Sequence, residues 1–342
     1  MMSVAIQKNR YDMIFSLGRG IGTLAIAGLV AGAALAPLSA VAQDYPNKTV
    51  TMVVPFVAGG MVDATGRLLA ERLSEDLGQQ FIVENRPGAA GSIGYSNVAR
   101  AEKDGYTLLV GYSTTSTCSP AIFSNLTWKN EDFAPIASFS EFPMAVTVHP
   151  SLNVNTLEEL IAYLKAHPGE VSYGALGVGT QVHIATELFK QMTGTEMEAV
   201  QYKGSGEVIA DLLAGNVQLV IDALGPYRQH VEAGNLKTLA VAAETRDPNS
   251  PDIPTTAEAG LEGFTQSGFM PIFAPAGTDP AVIAKLTEAI QKASEENEAF
   301  RAKVSSVKLT NNFRDPGALK DVLEKLSSEC AEVVKSAGIT IE

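Results

Sequence analysis

Two short stretches of this sequence combine the residue types that grip an anion without a cationic side chain. Phe56-Val57-Ala58-Gly59-Gly60 leads from an apolar strand into a segment carrying Asp63, and Ala175-Leu176-Gly177-Val178-Gly179-Thr180 leads from another into a segment carrying His183. Glycine lets the main chain approach a guest closely and take left-handed turns. Free N–H groups at a helix start, reinforced by the helix dipole, favour negative charge. The chemistry predicted is capture of a carboxylate by backbone amides, with one glycine turn on each side of a cleft. Neither turn matches the phosphate-binding Gly-x-x-x-x-Gly-Lys-[Ser/Thr] pattern.

Catalysis is the competing class. A secreted hydrolase needs a nucleophile beside an oriented base, yet neither a Gly-x-Ser-x-Gly elbow nor a His-Glu-x-x-His run occurs, and the imidazoles are limited to His149, His167, His183 and His230. Cys118 and Cys330 belong to no Cys-x-x-Cys pair and no Cys/His cluster has ligand spacing, so no metal and no cofactor is expected. A disulfide between these cysteines and two separate thiols are both compatible with the sequence, because spacing says nothing about bond geometry.

The elements that must position the turns alternate between strand and helix. Residues 49–54 read as a buried strand, Asp63 as the cap of a helix with Ala64, Leu68, Leu69, Leu73 and Leu77 on one face, and Gly78 as its terminator. Strands follow at 81–83 and 106–110, the latter running into a hydroxyl-rich segment that opens with Ser113. A second series starts near Ala145, with a capping box at Thr156 and Glu159, a strand at 171–175, Thr180 as a cap, and Gly194 closing the helix that buries Ile184, Leu188 and Phe189. Strands at 199–202, 217–221 and 238–242 complete it. Asp279-Pro280 and Asp315-Pro316 mark the starts of two C-terminal helices, 280–299 and 316–337, expected to cover the first domain. Such alternation predicts two α/β domains, each a mostly parallel sheet flanked by helices, with chain crossings near Pro143 and Ser267. The predicted division is 43–142 with 268–342 against 143–267.

Lys8, Arg10 and Arg19 precede an apolar run from Ile21 to Ala36, and Ala40-Val41-Ala42 supplies a small-x-small cleavage site. Residues 1–42 therefore read as a secretory signal peptide, which places the mature chain in the periplasm. Cleavage would leave 22 basic against 37 acidic residues, a formal charge of −15. That balance argues against nucleic acid as a partner. It also opposes long-range attraction of an anion, so any anion must be held by local dipoles.

The stretches VVPFVAGGMVDATGRLLAERLSEDLGQQFIVENRPGAAGSIG, DGYTLL, YGALGVGTQVHIATELF, YKGSGEVIADLLAGNVQLVID, PTTAEAGLEGF and APAGTDP resemble, in order and over nearly the whole mature chain, the Bug family. These are extracytoplasmic receptors of tripartite tricarboxylate transporters. The resemblance implies a two-domain periplasmic binding protein of type II, a monomer that closes over a small carboxylate and delivers it to two membrane subunits. Di- or tricarboxylates, aromatic carboxylates and acidic amino acids are all compatible, and a receptor that presents its ligand to a sensor kinase is the alternative. Carried over by position, 56–63 resembles the first clamp loop and 174–183 the second, Asp222 the residue facing the ligand's distal group, and Tyr202-Lys203-Gly204 a motif beside the cleft. This chain departs from the usual Pro-Phe-Pro-Pro-Gly-Gly at Val57 and Ala58, and has Val62 where a threonine is common.

Overall fold

The computed structural model describes residues 45–202, 204–336 and 338. The leader and Lys203 lie outside the described residues.

Strand β1 (Val50–Val54), helix α1 (Met61–Leu77), β2 (Phe81–Asn85), α2 (Ser92–Ala99) and β3 (Thr107–Val110) form the first part of the chain. β1 pairs in parallel with both β2 and β3. The β-branched run of β1 suits a strand buried on both faces, and Val50, Met52, Val53 and Val54 are all withdrawn from solvent. Helix α1 lays Leu69, Ala70 and Leu73 on that sheet. Gly66 allows the approach, since a Cβ there would stand 3.1 Å from Val54 Cγ2. Gly78, at φ 68°, ends the helix in the left-handed conformation. The cap at the other end is Gly60, not Asp63, which is the third residue of the helix.

The hydroxyl-rich segment expected to trail β3 is instead helix α3 (Ser113–Ile122), with Pro120 inside it. After it comes β4 (Phe133–Val148), a 16-residue strand that no sequence pattern announced. Prolines at 135 and 143 argue against a central strand, and its side chains show no regular alternation because it changes partners along its length. Its first residues pair with β10 (Ile272–Pro275), its middle with β11 (Thr310–Arg314) and β9 (Ser267–Phe269), and Met144 to Val148 with β7 (Leu219–Ala223) and β8 (Lys237–Ala242). All these pairings are antiparallel. The second series thus begins inside a strand shared with the first.

That series contains α4 (Leu157–Ala166), β5 (Ser172–Ala175), α5 (Gln181–Thr193), β6 (Glu198–Gln201), α6 (Ser205–Ala214), β7, α7 (Arg228–Glu232) and β8. β5 runs parallel to β6 and β7, and the sheet order is β2-β1-β3-β10-β4-β7-β5-β6. Thr156 and Thr180 cap α4 and α5, each accepting a backbone N–H three residues on.

The C-terminal part holds α8 (Pro280–Glu296), α9 (Glu298–Ser306), β11 and α10 (Pro316–Ser336). Two helices without a strand were expected here. Asn297 divides the first by accepting the Phe300 amide at 2.8 Å as a new N-cap, and the polar Thr310–Arg314 run becomes a strand only because β4 offers it an edge. Cys118 of α3 and Cys330 of α10 are joined in a disulfide, with their Cα atoms 5.5 Å apart.

Candidate functional site

β1 and β5 each end in a glycine turn that opens a helix, and the two turns are built alike. In the first, Gly59 has φ 85° and its N–H donates to Asp63 Oδ2 at 2.8 Å. In the second, Gly179 has φ 77° and its N–H donates to His183 Nδ1 at 3.1 Å. Each left-handed glycine is thus tied to the side chain four residues on, in the first turn of the helix it introduces. Gly177, at φ 101°, donates its amide to Gln201 Oε1, and Thr180 Oγ1 donates to the Gly177 carbonyl. The amides of these left-handed glycines are engaged by the protein. Those of Gly60, Met61 and Val178 are among the amides with no protein partner among the described residues, and such groups, at or just before a helix start, are free to bind an anion.

Asp63 is buried and also receives Arg67 Nε at 3.0 Å and Asn85 Nδ2 at 2.8 Å. Burial alone would raise its pKa, but the hydrogen bonds from Arg67, Gly59 and Asn85 hold it below the usual carboxylate range. Asn85 also donates to the Phe56 carbonyl at 3.1 Å. Asp63 therefore shapes the loop, and its oxygens are directed at the loop's own donors. For His183, burial is the main cause of a lowered pKa, opposed by Glu187 and assisted by Lys190. Its ring stays neutral, as an acceptor at Nδ1 must.

Tyr112, the residue before Ser113, connects the turns. Its ring meets Phe56 edge-on at 6.0 Å and stacks on Phe142 at 6.5 Å, and its hydroxyl donates to Gln181 Oε1 at 2.7 Å. Burial, then the nearby charge of Asp222, push its phenol above the ordinary tyrosine range. Nothing local singles out Tyr112 or Gln181, because their pairing joins positions 69 residues apart. Gly179 rests on the same helix as Tyr112's neighbours, since a Cβ there would lie 2.7 Å from Ile122 Cδ1.

Other expected contacts are placed differently. The Ser113 hydroxyl accepts the Phe269 amide at 3.3 Å, which ties α3 to β9. Ala175 is buried and its carbonyl accepts the Tyr202 amide at 2.8 Å. The Tyr202 hydroxyl donates to Asp211 of α6 at 2.6 Å. Burial and that carboxylate push its pKa to about 12. Asp222 is buried at the end of β7, where it accepts from the Ala223 amide at 2.7 Å and from the Ser205 and Tyr227 hydroxyls at 3.0 Å each. Burial raises its pKa despite those donors. Through Ser205 it holds the first turn of α6. Val57, Ala58 and Gly59 are exposed, whereas Phe56 and Gly60 are half-buried.

A sequence profile of the TctC family, the tripartite tricarboxylate transporter family receptors, matches residues 65–324. The chain belongs to this family. BugT of Bordetella pertussis is 34% identical over 326 residues, which span 93% of this chain and 98% of BugT. Among solved structures, Rpa4515 of Rhodopseudomonas palustris with adipate has a TM-score of 0.71 at 34% identity, covering 87% of this chain and 100% of that one. MatC of the same organism with bound malate has a TM-score of 0.67 at 29% identity, covering 85% and 100%. TctC proteins are receptors and not enzymes, and the likeness to these structures gives this chain the α/β fold of periplasmic binding proteins. Among its described residues, no helix is long and apolar enough to cross a membrane.

Proposed function

We propose that this TctC receptor captures a small carboxylate in the periplasm and delivers it to the two membrane subunits of a tripartite tricarboxylate transporter. The lobes of this reading are 43–142 with 268–342 and 143–267, hinged where β4 and the β9–β10 segment pass between them. The supporting observation is that Phe56, Tyr112 and Gln181 bring the starts of α1 and α5 together, with partner-free amides in each turn. Two converging helix N-termini favour a negative guest in a chain whose overall charge opposes one. The ligands bound in the structures of these relatives, adipate and malate, are carboxylates, in line with this class.

In this reading the guest's carboxylate bridges the amides of Gly60 and Met61 on one side and Val178 on the other, and closure follows from its contacting both. A ligand shifts the open and closed populations only by its difference in affinity for them, and a guest that touches both turns has that difference. The test is thermal denaturation of the mature chain against a panel of mono-, di- and tricarboxylates and acidic amino acids. A ligand confined to the native state raises the melting temperature with concentration. A panel without any stabilising acid rejects the proposal.

A further inference from the structure

Val57 stands in the first turn with 66% of its surface exposed, and Val178 in the second with 48%. Met61, the first residue of α1, is 41% exposed beside the same amides. Large branched side chains are normally withdrawn from water, yet each turn presents one at the point where its backbone donors are free. The placement has a geometric consequence. Val178 carries one of the partner-free amides itself, and Val57 lies three residues before Gly60, whose Cα would direct a Cβ to within 3.6 Å of the Val57 carbonyl. A carboxylate held by these amides would extend its next carbons past two exposed valines. The adjoining wall is aromatic, formed by the half-buried rings of Phe56 and Tyr112.

We propose that the cleft selects carboxylates with an apolar body, either an aromatic ring or a branched aliphatic chain, and that Val57 and Val178 are the residues that impose this choice. The inference rests on the carboxylate reading above and narrows it. A ring or alkyl chain removes both valines and its own carbons from water. A hydroxylated di- or tricarboxylate brings polar groups against the same methyls and gains nothing from them. Full burial of one valine side chain corresponds to roughly a tenfold gain in affinity, so the pair supports a preference on the order of 10- to 100-fold.

Isothermal titration calorimetry with benzoate, 4-methylpentanoate, malate and citrate tests it on the parent chain and on the Val57→Ser/Val178→Ser variant. Both valines are exposed, so the variant keeps the core, and a melting curve verifies its fold. Should it fail to fold, the single isosteric variants Val57→Thr and Val178→Thr replace it. The expected result is at least tenfold tighter binding of the two apolar acids than of malate and citrate by the parent, and a variant in which this margin between the two kinds of acid disappears. Tighter binding of malate or citrate by the parent overturns the inference while leaving carboxylate capture standing. An equal loss for every acid, or no loss at all, overturns the assignment to the valines. Binding of none of the four acids removes the carboxylate reading and this inference together.

Discussion

The turn after β1 and the turn after β5 have the same backbone plan, a left-handed glycine followed by an extended N-cap, at φ −79° and ψ 172° for Gly60 and φ −72° and ψ 162° for Thr180. They differ in what holds them. The first is anchored inside its own lobe by a buried carboxylate with three kinds of donor, and Asn85 of β2 grips both Asp63 and the Phe56 carbonyl. Around Gly59 there is open space. The second is held by uncharged groups, the His183 imidazole at the Gly179 amide, Gln201 at the Gly177 amide and Thr180 at the Gly177 carbonyl, and Gly179 lies against Ile122 of α3. Hydrogen bonds fix both turns, charged in the first and neutral in the second, and the second also leans on Ile122 from a distant part of the chain. If the two turns grip a guest as proposed, one of them is preformed and the other takes part of its shape from Ile122 of α3.

The largest expected effect comes from the support of the second turn. Ile122, Ile184 and Val333 share an apolar cluster with the Cys118–Cys330 bridge, which staples α3 to α10. Reduction, or the Cys118→Ser/Cys330→Ser variant, should cost about 2–5 kcal/mol. Hydrogen exchange should quicken at the Gly179 amide and leave that of Gly59 unchanged; equal quickening at both would erase the distinction. Next is Asp63→Ala, which strands the Gly59 amide and the Asn85 and Arg67 donors. We expect a loss of about 2–3 kcal/mol in urea unfolding, whereas His183→Ala, removing one neutral acceptor, should cost about 1 kcal/mol. Similar values for the two would show that the anchors are equivalent.

Alanine at the two glycines sharpens the contrast further. Both positions have positive φ, which costs an L-residue about 1–2 kcal/mol. Gly59→Ala should show that strain alone, since its Cβ enters open space. Gly179→Ala adds a contact at 2.7 Å with the end of Ile122, and Ile122→Ala should restore the added part in a double-mutant cycle. The smallest effect is that of pH. Burial lowers the His183 pKa, so folding favours the neutral ring. That contribution is complete above roughly pH 6.5, the value of a free imidazole, and is lost as pH falls through the lowered folded value. Asp63 is lowered as well, so its contribution persists down to roughly pH 4 and is lost only below that. Between these limits the Gly179 amide should exchange faster while that of Gly59 holds. Two-dimensional NMR of the two amides across pH 7 to 4 reads it directly.

Much of this arrangement could be read from the chain because its signals are local. Thr156, Thr180 and Asp279 cap helices a few residues away, and Gly78 and Gly194 end them in left-handed conformations. A cap, a terminator or a glycine turn acts within one helical turn of itself, so its meaning survives without the rest of the fold. The same holds for the two glycine turns, which stood out by composition and by their place between a strand and a helix.

What the tertiary structure decided are pairings between distant segments. β4 is a strand because five others present edges to it in succession, a condition that no window of its own sequence records. Asp63, which reads as a cap or ligand contact by position, becomes a buried anchor only when β2 brings Asn85 to it. Ser113 loses its place as a free hydroxyl once β9 arrives with the Phe269 amide, and Tyr112 gains its role only across the cleft from Gln181. Cys118 and Cys330 meet across 212 residues. A hydrogen bond or disulfide has a reach of a few ångströms, and chain separation alone does not specify which groups the fold brings within it.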